Sequence, residues 1–320
     1  MTMDMSVEEL KTYMGSTPCP EDFDAYWEAA KREADSLDYQ VRMVKNSFSV
    51  TGAECYDLYF TGTKGARIHS RVALPAGATK TGKLPAVLLF HGLSDGEYSW
   101  TSLLPHVLCG RAAVSMAVRG QGGGSEDAGG VPGTTYTTPF IRGLDGEKND
   151  LLMRDVFLDT YILAKVIMGL PFVDENRIAV TGGSQGGALS LICASLMPQV
   201  KKCAVFSSYL SDYKRMWDMG LSQDAYEGLR YYFRQFDPRH ERETEVFTRL
   251  GYIDVQNFVK WIRADVITAT GLCDTICLPS AQFASYNKIT APKKHYFYPD
   301  FGHEELHGYD DIIMEFFEAL

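Results

Sequence analysis

The chain has 320 residues, 45% of them hydrophobic, which is enough to bury a substantial core and is not the composition of a disordered chain. A formal net charge of -10 and the lack of any clustered Lys/Arg stripe exclude a nucleic-acid-binding surface, which needs such clusters to displace counterions from phosphates. The stretch MTMDMSVEELKTYMG lacks the basic flank and apolar run of a secretory signal, no uncharged apolar run approaches the roughly 20 residues that span a bilayer, and seven scattered cysteines fit reduced thiols better than a disulfide framework, so the expectation is a soluble, cytoplasmic protein that binds neither nucleic acid nor membrane.

In chain order, PEDFDAYWEAAKREADSL (20–37) has the period of an amphipathic helix, with acids at its positive end and Phe23, Tyr26, Trp27 and Ala30 on one face. It belongs to an N-terminal extension, 1–45. Strand patterns follow in ECYDLYF around Cys55 and RIHSRVAL from Arg67, a pair expected to be antiparallel, then in PAVLLFH from Pro85 and AAVSMAV from Ala112. A long helical pattern, Asp150 to Leu170, leads to a strand at Arg177–Thr181 and a helix from Gln185. After the strand CAVFSS, residues 209–260 are mainly helical and read either as an insertion over the carboxyl edge of the sheet or as a solvated helical face. The strand DVITAT, a helix from Pro279, the strand KHYFYP and a last helix GYDDIIMEFFEAL close the series. Strands alternating with helices predict a single α/β domain over 1–320, a mostly parallel sheet covered by helices on both faces.

The chemistry starts at RIAVTGGSQGG. Gly182, Ser184 and Gly186 satisfy G-x-S-x-G at a strand-to-helix junction, where a sharp turn lifts the serine hydroxyl above the sheet; the bland alternative is a serine that merely caps the helix. A serine nucleophile needs a base, and the base needs a group to orient it. Just past the ends of later strands stand Asp274, in TGLCDTICLPS, and His303, in YPDFGHEE, in the order Ser, acid, His; Asp212 is the competing acid. His91, in LLFHGLSDG, precedes the serine and shapes the loop after its own strand. The backbone N–H groups of Gln185 and Leu93 are the candidate oxyanion donors.

Other motifs compete. His303-Glu304-x-x-His307 matches the H-E-x-x-H zinc signature, which requires a helix, yet Pro299, Gly302 and Gly308 surround it. Tyr161 and Lys165 imitate the Tyr-x-x-x-Lys pair of short-chain dehydrogenases, but they precede the glycine-rich loop instead of following it. A non-catalytic binding protein on a hydrolase scaffold is a further reading. The expected cofactor and metal content is none.

With these residues placed, the sequence resembles the acetyl xylan esterase and cephalosporin-C deacetylase family, carbohydrate esterases of the α/β-hydrolase fold. The blocks PEDFDAYWE, YDLYFTGTKGARIHSRVALPAG, FHG, AVRGQGG, RIAVTGGSQGG, FDPRHERE, GLCDTICLPSAQFASYNKITAPK and YPDFGHEE carry the likeness over nearly the whole chain. The resemblance implies Ser184 as nucleophile, His303 as general base and acid, Asp274 as its orienter, and the N–H groups of Gln185 and Leu93 as oxyanion hole. It implies supporting roles for Arg119 and Gln121, with His91 and Glu304 beside the reacting loops. It further implies a metal-free cytoplasmic homo-oligomer, in many members a hexameric ring, acting on small acetylated sugars. Leu93 stands where the family commonly has tyrosine, and Leu151, Leu152 and Met153 stand where tyrosines are expected before Arg154.

Overall fold

The computed structural model describes residues 4–80, 82–128, 138–221 and 224–320. Its strands are β1 (Arg42–Lys45), β2 (Ala53–Thr61), β3 (Arg67–Pro75), β4 (Leu84–Phe90), β5 (Ala112–Met116), β6 (Val173–Gly183), β7 (Val200–Phe206), β8 (Asp265–Gly271) and β9 (Lys293–Tyr298). Among the described residues the helices are α1 (Val7–Leu10), α2 (Phe23–Asp35), α3 (Trp100–Leu108), α4 (Leu152–Met168), α5 (Gln185–Leu196), α6 (Tyr213–Asp218), α7 (Glu227–Phe236), α8 (Glu243–Leu250), α9 (Pro279–Lys288) and α10 (Tyr309–Phe316). The strands form one nine-stranded sheet in the order β1-β2-β3-β5-β4-β6-β7-β8-β9. Pairings from β1 through β3 to β5 are antiparallel, and all those from β5 to β9 are parallel.

Side-chain alternation along the strands feeds two cores. In β4, Ala86, Leu88 and Phe90 join the larger core, with α2, α4 and α5, whereas Val87 and Leu89 join the smaller one, with α3 and α10. A parallel strand buried on both faces reads as a continuous apolar run, which is why PAVLLFH is legible. On α2 the expected face is buried: Phe23, Tyr26, Trp27 and Ala30 lie in the larger core, and the Trp27 indole N–H donates to the Tyr252 carbonyl at 2.9 Å.

Residues 209–260 are sewn into the same core through Tyr209, Tyr213, Leu229, Phe233, Phe247 and Phe258, so they are not simply a solvated helical face; Ser222 and Gln223 lie outside the described residues. Tyr161 and Lys165 both reach Asp35 and dock α2 onto α4, which gives them a packing role. Among the described residues, no helix is long and apolar enough to cross a membrane.

Candidate active site

β6 ends at Gly183 and α5 begins at Gln185, leaving Ser184 alone between them with φ 54° and ψ -122°. A side chain in that region is strained, and the surroundings hold it there. The Ser184 N–H donates to the Phe206 carbonyl, and the Ser184 carbonyl accepts from the N–H groups of Ala188 and Tyr209, each at 3.1 Å. The glycines on either side are required by close approach. A Cβ at position 182 would lie 2.4 Å from the Phe90 carbonyl oxygen, and one at 186 only 1.8 Å from it. Strand and helix can press this tightly against the end of β4 only without side chains, which is the physical content of the motif.

Two loops from neighbouring strands meet the serine. The loop after β8 carries Asp274, and the loop after β9 carries His303. They are stitched together by the Leu272 N–H on the Tyr298 carbonyl and the Cys273 N–H on the Phe301 carbonyl, both 2.9 Å. His303 Nε2 lies 3.0 Å from Ser184 Oγ, and its Nδ1 lies 2.9 Å from Asp274 Oδ2. Asp274 is buried at 1% exposure, and its Oδ1 accepts the N–H groups of Ile276 and Cys277 at 2.9 and 2.8 Å. A hydroxyl, imidazole and carboxylate in this line can relay a proton away from an attacking serine and back to a leaving group. Burial, reinforced by the Asp274 carboxylate, pushes the neighbouring Cys277 thiol well above its ordinary value, so the thiol stays protonated beside the serine.

The other expected residues brace this line. Gln185 opens α5, so its N–H has no acceptor within the helix. Its side chain exchanges two hydrogen bonds with Gln121, Nε2 to Oε1 in both directions at 2.9 and 2.8 Å, and Gln121 Oε1 also accepts the Ser94 N–H at 3.1 Å. Gln121 thus ties the loop carrying Leu93 to the start of α5. His91 is buried, accepting the Val118 N–H on Nε2 at 3.0 Å and donating from Nδ1 to the Gly92 carbonyl at 2.7 Å, which fixes its tautomer. Arg119 makes a bidentate pair with Asp159, 2.7 and 2.6 Å, and both are about 1% exposed. Burial pushes the Asp159 carboxyl up to about 6 against the pull of the guanidinium. Glu304 accepts the Gly302 N–H at 2.9 Å and so steadies the turn that presents His303.

Several competing readings are not assembled. Residues 303–307 form bends and a turn, not the helix that the zinc signature needs, and both ring nitrogens of His303 face Ser184 and Asp274. The Asp212 carboxylate is taken up by the Tyr13 hydroxyl at 2.7 Å and by the Ser16 and Thr17 N–H groups at 2.8 Å, whereas His303 Nδ1 pairs with Asp274. Leu151, Leu152 and Met153 are at most 2% exposed and sit in the larger core, so that departure alters packing and not surface.

The Leu93 loop has a second fastening that no motif announced. His69 on β3 is held between Glu97 Oε1, 3.0 Å from Nδ1, and Asp57 Oδ1, 2.9 Å from Nε2. Burial pulls the imidazole down, but the hydrogen bonds and charges of the two carboxylates outweigh it and hold it above its ordinary value. The His69 hydrogen bond in turn draws Glu97 down to about 2, against burial. A raised imidazole contributes stability that is complete below 6.5 and lost as pH rises through the folded value; a lowered carboxyl contributes above 4.5 and fades as pH falls toward about 2. Glu97→Gln should therefore lower the melting temperature most between about pH 5 and 6 and least near pH 9. Scanning fluorimetry across that range checks it, and a deficit that grows with pH contradicts the ion pair.

Comparison with known proteins converges on one family. The family model for acetyl xylan esterase (AXE1) matches residues 1–320. Acetyl esterase Axe7A of Xylanibacter ruminicola is 30% identical over 295 residues, covering 90% of this chain, which spans 64% of that relative's length. Acetyl xylan esterase 1 from Thermoanaerobacterium sp. JW/SL YS485 superposes with a TM-score of 0.96 at 50% identity over 99% of each chain. The acetyl xylan esterase from Paenibacillus sp. R4 gives 0.94 at 30% identity, over 98% of this chain and 99% of its own. The α/β hydrolase GrgF from Penicillium sp. sh18, at 15% identity and a TM-score of 0.57 over 83% of this chain and 99% of its own, shares the fold alone. The chain belongs to the acetyl xylan esterase family, carboxylic ester hydrolases built on the α/β-hydrolase fold.

Proposed function

We propose that this protein is a serine esterase that removes acetyl groups from small acetylated sugars, xylo-oligosaccharides first among them, through an acetyl-enzyme intermediate. Ser184 Oγ attacks the acetyl carbonyl while His303 Nε2 takes its proton, and the oxyanion that forms is met by the N–H groups of Gln185 and Leu93. The tetrahedral intermediate expels the sugar oxygen, which leaves as a hydroxyl with the proton from His303. Water, deprotonated by the same imidazole, then attacks the acetyl carbonyl and releases acetate and free Ser184. Asp274 stays ionised throughout and holds the imidazole in place. Arg119, Gln121, His91 and Glu304 hold the loops and do not touch the ester. The observation that carries this reading is the pair of contacts on His303, 3.0 Å to Ser184 Oγ and 2.9 Å to Asp274 Oδ2.

Two measurements test it. A fluorophosphonate should label one serine per chain, at Ser184, and failure to label rules out an activated serine. Acetate release should be fastest from acetylated xylo-oligosaccharides in a panel that includes cephalosporin C, whose acetyl ester offers the same carbonyl, and longer-chain esters. Preference for a longer acyl group overturns the deacetylase assignment. The chain acts as one domain, a reading supported by the unbroken sheet, with 209–260 shaping the ester pocket. A homo-oligomeric state, read by sedimentation, and a cytoplasmic location, supported by seven free cysteines and read by fractionation, complete the proposal.

A further inference from the structure

We infer that Gln282, on α9, is a positioning residue for this reaction: its side-chain amide fixes the Asp274 oxygen that faces His303. The inference rests on the serine reading above and adds a residue to it. Gln282 is only 6% exposed. Its orientation is dictated by chemistry, because the Cys277 carbonyl at 2.7 Å and Asp274 Oδ2 at 3.2 Å can only accept and must both face Nε2. That leaves Oε1 to accept from the Thr270 hydroxyl at 2.7 Å, so the amide is held from β8 as well.

The two oxygens of Asp274 are held differently. Oδ1 takes both backbone N–H groups, Ile276 and Cys277, whereas Oδ2 takes His303 Nδ1 and Gln282. A carboxylate pinned only at Oδ1 can pivot about that oxygen and swing Oδ2 out of the imidazole plane. Gln282 stops the pivot. It also supplies a donor to the charge that must remain on Asp274 when the Ser184 proton arrives on His303 Nε2. No proton moves to Gln282, and it touches neither ester nor serine. The titratable groups around it are Asp274 and Cys277 on the loop after β8, His303 beyond Asp274, and His295 on β9 and Tyr286 on α9, which line the same small cavity as Gln282.

Two variants of nearly unchanged shape test the inference. Gln282→Met removes the donor, and its kcat for 4-nitrophenyl acetate should fall about tenfold with KM unchanged, the lower end of what a hydrogen bond to a charged group is worth. The downfield proton resonance of His303 Nδ1–H should shift with it. Gln282→Glu cannot donate when ionised and repels Asp274, but donates again when protonated. Its kcat relative to the unaltered protein should therefore recover as pH falls toward about 5, whereas that of Gln282→Met should not.

Rates are taken per fluorophosphonate-reactive serine, so partial unfolding does not imitate the effect, and Gln282→Glu carries the test if Gln282→Met does not fold. Unchanged kcat with an unmoved resonance, a loss confined to KM, or a Gln282→Glu ratio flat with pH overturns the inference. Ser184→Ala retaining full activity sinks the serine reading itself. An inactive Ser184→Ala beside an unaltered Gln282→Met sinks only the role of Gln282.

Discussion

Ser184→Ala is expected to lower kcat for 4-nitrophenyl acetate by about four to six orders of magnitude while leaving the melting temperature within a degree or two. The loss follows from the route proposed, since without the hydroxyl no acetyl-enzyme can form and only polarisation of the ester by the N–H groups of Gln185 and Leu93 remains. The fold should be indifferent for a specific reason. Position 184 already carries a Cβ at φ 54°, so alanine brings no steric cost that serine does not, and the backbone hydrogen bonds to Phe206, Ala188 and Tyr209 stay as they are. Purified variant assayed by steady-state kinetics and by the burst of 4-nitrophenol checks the prediction. Undiminished hydrolysis would remove Ser184 from the mechanism.

The largest effect on stability is expected from Arg119→Met, which should cost about 3–5 kcal/mol, the usual consequence of leaving one partner of a buried ion pair behind. Asp159 would keep its burial and lose the guanidinium that offsets it, with the buried Asp155 as a like charge nearby. The melting temperature should drop by roughly 5–10 °C. Because burial alone then raises the Asp159 carboxyl further, the deficit should widen as pH rises and narrow toward pH 5, where the carboxyl can take a proton. Arg119→Met combined with Asp159→Leu should recover most of the stability, because no uncompensated charge remains. Thermal melts of the two single variants and the double variant at several pH values measure this cycle; equal deficits in the first variant and the double would show that packing, not charge, is what Arg119 supplies.

The parts of the fold that could be read from the sequence were those whose physics is local. β4 is an apolar run because both of its faces are buried. β1 left no such trace: RMVK is largely exposed, lies at the sheet edge and, among the described residues, pairs only with β2, so no apolar face was needed. β6 begins at Val173, ahead of the expected Arg177, because Asp174, Glu175 and Asn176 are poor strand formers carried along by the pairing of Val173 with Leu84. The candidate site divides in the same way. Ser184, Asp274 and His303 could be read because each follows a strand and differs chemically from its surroundings. Asp159 and Gln282 could not, because an acid or amide on a helix looks like a solvent-facing residue until the fold brings Arg119 or Asp274 against it. Glu97 and Asp57 were hidden likewise, their meeting point being His69 on another strand.

The reciprocal contact between the side chains of Gln121 and Gln185 has a consequence of its own. Neither primary amide carries a charge or titrates, so that latch is blind to acidity, whereas the His69 fastening of the same strap answers to it. In alkaline medium the strap should slacken from its far end, near Glu97, while the end nearest the serine stays shut.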